Sequence, residues 1–128
     1  MTTLAQYIGM TRDQTEAAAA QGFDLLEAGD LEGAAALFNG LVLLNPNDAS
    51  MQAALGSVLH QQGKLSEALA AYDTALAMDS NTVLARVNRG ELRCKQGDLA
   101  GLEDLKVAAR IPSSVQARAQ ALVRLYTR

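Results

Sequence analysis

The chain has 128 residues and a formal net charge of −3, the size of one domain that can bury a core without disulfides or metal. Hydrophobic residues make up 49% but aromatics only 4%, with no Trp and an excess of Ala and Leu, so the expected fold class is all-α. Interspersed charges of net acidic sign offer no field for polyanions, no apolar run approaches the roughly 20 residues that span a bilayer, and the single cysteine, Cys94, permits neither an internal disulfide nor a thiolate cluster.

The expectation is therefore a cytoplasmic protein that takes no nucleic acid, inserts into no membrane and holds no metal or cofactor. The opening MTTLAQYIGMTRDQ has neither the basic start nor the apolar stretch of a cleaved signal. Residues 1–14 read as an N-terminal arm in which Leu4, Tyr7 and Ile8 share one face of a short helix. That face either docks on the rest of the chain or forms a homodimer contact. Thr11-Arg-Asp-Gln14 has the form of a capping box, so a new helix starts there.

From here the sequence repeats. Gly29, Gly63 and Gly97 stand 34 residues apart, as do Gly22, Gly56 and Gly90, and again Leu31, Leu65 and Leu99. Three units follow, 15–48, 49–82 and 83–114, each a helix, a turn and a second helix. Gly29, Gly63 and Gly97 close the first helices in the left-handed conformation, and the earlier glycines allow close approach of a neighbouring helix. The second helices carry Ala34, Phe38 and Leu41, then Ala68, Tyr72 and Ala75, an i, i+4, i+7 stripe that marks a buried face. Asn45-Pro-Asn-Asp48 ends the first unit and Asp79-Ser-Asn81 the second.

The third unit departs from the pattern. Arg86, Arg89 and Arg93 occupy its large apolar positions, Leu102 stands for the alanine and Lys106 for the aromatic. Pairing with Glu103 and Asp104, or snorkelling to solvent, is favoured for these arginines over a ligand site. Residues 115–128 form a closing helix, capped by Ser113 or Ser114, with Val115, Ala119, Leu122, Leu125 and Tyr126 as its apolar edge.

Gly22, Leu25, Ala34, Phe38 and Pro46, followed by Leu55, Gly56, Leu59, Ala68 and Tyr72, make this chain resemble tetratricopeptide repeat proteins, whose unit of about 34 residues carries W-x2-L-G-x2-Y…A-x3-F…P. The resemblance implies a single-domain solenoid of seven to eight helices with a concave face built from the first helix of each unit. On that face lie Ala19, Phe23 and Leu26, then Ala53, Ser57 and His60, then Val87, Glu91 and Cys94, each trio the previous one shifted by 34 residues. Small and apolar at its edges and polar in its middle, this strip suits an extended peptide with a few apolar anchors. The lysine-and-asparagine cradle of carboxylate-clamp members is not matched: Ala19, Phe23, Ala54, Leu84 and Asn88 stand at its columns, and only Asn88 fits.

The layout of a leading helix, three repeats with the third degenerate and one closing helix, together with Gln21-Gly-Phe23, Ala28-Gly-Asp30 and Leu55-Gly56, resembles the small tetratricopeptide chaperones of bacterial type III secretion that hold translocator subunits. That resemblance implies an extended partner segment in the groove and dimerisation through the N-terminal helix. A general scaffold in another bacterial assembly is the alternative. An enzyme is not expected: His60 is the only histidine, and no Gly-rich phosphate loop, GxSxG or HExxH is present.

Overall fold

Thr11 opens the first helix of the computed structural model, which describes residues 8–128. Its hydroxyl accepts from the Gln14 amide at 3.1 Å, while Gln14 Oε1 accepts from the Thr11 amide at 2.8 Å, the reciprocal capping box that the sequence predicts. The helices are α1 (Arg12–Glu27), α2 (Leu31–Leu44), α3 (Ala49–Gln61), α4 (Leu65–Met78), α5 (Val83–Lys95), α6 (Ala100–Ala109) and α7 (Gln116–Tyr126). Among the described residues there is no strand, and the all-α solenoid is what the repeat pattern led us to expect.

Gly29, Gly63 and Gly97 end α1, α3 and α5 at φ 83°, 78° and 81°, where any side chain would be strained. Aspartates begin α2 and α3: Asp30 Oδ1 accepts from the Gly33 amide at 2.9 Å and Asp48 Oδ1 from the Ser50 amide at 3.0 Å. Within the first two pairs the second helix lays an aromatic ring on a glycine of the first. A Cβ at Gly22 would lie 2.6 Å from Phe38 Cζ, and one at Gly56 would lie 2.5 Å from Tyr72 Cε1.

Ala34, Phe38 and Leu41 bury against α1 and α3, and Ala68, Tyr72 and Ala75 against Ala53, Ala85 and Leu92. The first helices of successive pairs, α1, α3 and α5, touch one another, and α5 touches α7; the second helices α2, α4 and α6 meet only their sequence neighbours. Rows spaced closely on one side and widely on the other curve the stack. The concave side is therefore that of α1, α3 and α5.

The third pair corrects the expectation from a strict 34-residue shift. Its buried stripe is Gly101, Leu105 and Ala108, again at i, i+4 and i+7 but one residue earlier than Leu102 and Lys106. One residue is missing between the turn glycine and the first packing position, so the opening turn of α6 is short. The Gly101 amide bonds Asp98 O at 3.1 Å and the Leu102 amide Leu99 O at 3.0 Å, tight i to i+3 contacts. Leu99, which matches Leu31 and Leu65 in spacing, is 80% exposed. Gly101 takes the place of the alanine, and Leu105 that of the aromatic.

The closing helix covers the end of the stack with Val115, Ala119, Leu122, Val123 and Tyr126. Neither Ser113 nor Ser114 caps this helix as expected: its N-cap is Val115, with no side-chain cap bond, and Ser113 Oγ accepts from the Val115 amide at 3.2 Å in the turn before it, because the helix starts only at Gln116. Leu125 points outward instead, and Val123 holds the contact assigned to it, because the helix begins at Gln116 and its packed face is turned accordingly.

Candidate functional site

On the concave side, α1, α3, α5 and α7 enclose a cleft of about 420 Å³. Five of the nine strip residues line it: Phe23 and Leu26 from α1, Ser57 and His60 from α3, and Glu91 from α5. Phe23 is the ring presented to solvent, 38% exposed, and its edge rests on the buried Phe38 with centroids 5.1 Å apart.

Ala19, Ala53 and Val87 do not reach this surface. They are buried in the clusters around Phe38, Tyr72 and Leu105 respectively, since side chains this short on a helix that packs against its partner end below the level of their longer neighbours. Cys94 also sits aside, partly buried against the third cluster, where burial pushes its thiol pKa up.

Six further residues complete the lining: Gln61, Tyr72, Leu84, Asn88, Lys95 and Arg118. Asn88 and Lys95 lie one helical turn to either side of Glu91, and that helical spacing is the sequence signal for them. Arg118 comes from α7, outside the repeat, and no period could announce it.

These residues join in a polar chain. Ser57 Oγ donates to Ala53 O at 3.2 Å, Asn88 Nδ2 donates to Ser57 Oγ at 2.9 Å, and Arg118 donates to Asn88 Oδ1 at 3.0 Å. Arg118 also bonds Glu91, which accepts from Lys95 Nζ at 2.9 Å on its other oxygen. Burial alone would raise the Glu91 pKa, but the hydrogen bonds from Lys95 and Arg118 outweigh it and hold the carboxylate below its ordinary range. The cleft thus runs from an apolar end at Phe23 and Leu26 to a charged end at Glu91, Lys95 and Arg118.

Between the two ends stands His60, whose Nδ1 lies 3.4 Å from Tyr72 Oη. Burial pushes the Tyr72 pKa up to about 12, so the phenol stays protonated and can donate. The His60 pKa is lowered, first by burial and then by Lys95 and Arg118, against the opposing pull of Glu91. Because the unfolded imidazole titrates at its ordinary 6.5 and the folded one lower, the unfolded chain binds more protons in that interval. Native stability is complete above 6.5 and declines as pH falls through the window beneath it. Melting temperatures of the wild type and His60→Gln across this window should show the steeper decline in the wild type; parallel curves would remove His60 as the cause.

The arginine stripe faces away from the cleft. Asp104, 4% exposed on α6, accepts from Arg89 Nε at 2.9 Å and Nη2 at 2.7 Å, and also from Arg93 Nη1 at 3.3 Å. Arg86 Nη1 approaches it at 3.5 Å. Pairing is thus the arrangement found, though the second carboxylate is Asp73 of α4, 2.9 Å from Arg89, and not Glu103. Glu103 points to solvent and pairs with Lys106 at 3.7 Å, because its neighbour Asp104 holds the inward position on α6. The hydrogen bonds that Arg89 donates to Asp104, and then to Asp73, raise its pKa above the ordinary arginine value.

Of the arm residues, Leu4 and Tyr7 lie outside the described residues, and Ile8 is 61% exposed. A wider polar depression of about 820 Å³ at the loops 45–50 and 78–84 meets the cleft at Leu84. Its carboxylates, Asp48 and Asp79, already accept from the Ser50 and Asn81 amides. Among the described residues no three of His, Cys, Asp and Glu gather as metal ligands, and no helix is long and apolar enough to cross a membrane.

A sequence profile described as tetratricopeptide repeat matches residues 19–82 and 61–101. No curated protein matches the chain. Among solved structures, the type III secretion translocator chaperone SycD of Yersinia enterocolitica superposes with a TM-score of 0.83 at 22% identity, over 96% of this chain and 97% of SycD. PcrH of Pseudomonas aeruginosa superposes at 0.78 with 28% identity, over 94% of this chain and 96% of PcrH. PcrH in complex with the chaperone binding region of PopD matches at 0.76 and 28% identity, over 93% and 95% of the two chains.

Proposed function

This chain belongs to the tetratricopeptide repeat family, and we propose that its concave cleft receives an extended segment of a partner protein bound for secretion, as a cytoplasmic, non-enzymatic chaperone of the type III secretion translocator class. The observation that carries this reading is the cleft itself: an exposed aromatic and a leucine floor at one end, with polar donors and acceptors along α3 and α5, on the concave side of the stack. The likeness to PcrH, solved with the chaperone binding regions of PopD and PopB, supports the choice of occupant.

Burying apolar anchors in the cleft would hold the partner by mass action and keep that segment from aggregating before export. The exposed Ile8 supports the companion proposal that a second copy docks on the arm that also holds Leu4 and Tyr7.

Co-expression with secretion substrates encoded beside it, followed by affinity capture, tests the reading. Phe23→Ala combined with His60→Ala is expected to weaken capture by about tenfold or more, the loss typical of a buried aromatic anchor, while helicity stays intact. Undiminished capture by the double variant would place the partner elsewhere. Capture of a client that is never secreted would favour the general scaffold.

A further inference from the structure

Inside the cleft the charges are unequal. Glu91 is met by two cations, Lys95 on α5 and Arg118 on α7, and both cationic side chains keep a large exposed surface toward the opening. One carboxylate against two bases leaves this end of the cleft with a surplus positive charge, although the chain as a whole is acidic. The surplus is held in place: Arg118 is oriented by Asn88 Oδ1 at 3.0 Å, which is itself fixed by Ser57 at 2.9 Å.

We propose that this end is a carboxylate-recognising subsite, selecting partner segments that carry an aspartate or glutamate beside their apolar anchors. The proposal rests on the concave cleft being the partner site and names the chemistry of what enters it. An apolar anchor at Phe23 and Leu26 and an acidic side chain at Lys95 and Arg118 engage opposite ends, on α1 and α5. Those helices are two helix spacings apart, about 20 Å, which extended chain covers in about six residues. The selected segment therefore pairs a large apolar residue with an acidic one at about that separation.

Glu91 competes for the same cations, so its removal strengthens the subsite, and the loss of Arg118 weakens it. A ligand held by charge on a partly exposed surface gains a modest factor, about fivefold in affinity.

A phage-displayed library of random peptides, panned on the whole protein with Phe23→Ala protein as competitor, supplies the probes. The best peptides are then measured by fluorescence anisotropy with their acidic residue intact and as Asn. The acidic form should bind about fivefold tighter to the wild type. That ratio should widen on Glu91→Gln and fall to unity on Arg118→Gln, whose melting temperature is checked against the wild type. Peptides that depend on Phe23 yet bind equally with Asp and Asn overturn the subsite and leave the cleft standing. Failure to recover any Phe23-dependent peptide overturns the cleft reading, and the subsite with it.

Discussion

Asp104→Ala is expected to lower the stability of the folded chain by about 3 kcal/mol, read as a shift of the urea midpoint at neutral pH, because it removes the one buried carboxylate on which three guanidinium groups converge. Arg89 is the most exposed to the loss, since two of its nitrogens bond Asp104 directly. Arg86 is the least well provided for even in the wild type: its Nε is buried without a partner, and its remaining bonds go to Asp104 and to Ser80 O at 3.0 Å. With Asp104 gone, only Asp73, half open to solvent, remains near Arg89 and Arg93.

The cost belongs to uncompensated charge and not to the ion pairs as such. Taking Arg89 and Arg93 to leucine together with Asp104→Ala should restore most of the lost stability, because the equivalent positions are apolar in the second pair, at Leu55, Leu59 and Ala71. A loss under about 1 kcal/mol for the single substitution would mean that water screens the cluster and that the third pair does not depend on it.

The arginines also mark what could and could not be seen in the sequence. The period was legible because each column answers a local need that recurs: a left-handed turn at Gly29, Gly63 and Gly97, and a ring over a bare helix face at Gly22 and Gly56. The pairing of the arginines with Asp104 was legible for a similar reason, since guanidinium groups at packing positions require a carboxylate on the helix they face. The one-residue slip of α6 was not read, although its signal is present as Gly101, Leu105 and Ala108 at i, i+4 and i+7. Carrying the 34-residue shift forward hid it; reading the apolar stripe of α6 by itself would have found it.

In the cleft, spacing identified the right helices and missed the depth of the side chains, so Ala19, Ala53 and Val87 were assigned to a surface that only their longer neighbours reach. Arg118 lay beyond any local reading. Its partners Asn88 and Glu91 are about thirty residues away and meet it only because α7 folds back across the open end of α5.

The slip makes a second strong demand, at the crossing of α5 and α6. There the third pair has no aromatic ring laid on a glycine; two glycines let the backbones themselves approach. A Cβ at Gly90 would lie 2.8 Å from Gly101 O, and one at Gly101 would press on Gly90 O and stand 2.8 Å from both Arg93 Cβ and the Cys94 amide. Backbone cannot turn aside as a side chain can, so Gly101→Ala must force the helices apart and pull Asp104 from Arg89.

Overpacking of this kind costs about 3 kcal/mol, against which the better helix propensity of alanine returns about 1, for a net loss of about 2 kcal/mol. Gly40→Ala supplies the contrast: in the middle of α2, with nothing within 4 Å of the added methyl, it keeps only the propensity term and should stabilise by up to about 1 kcal/mol. Urea midpoints of the two variants should therefore move in opposite directions. If Gly101→Ala instead stabilises as Gly40→Ala does, the two helices do not meet at these glycines, and the register that brings Asp104 beneath the arginines falls with that contact.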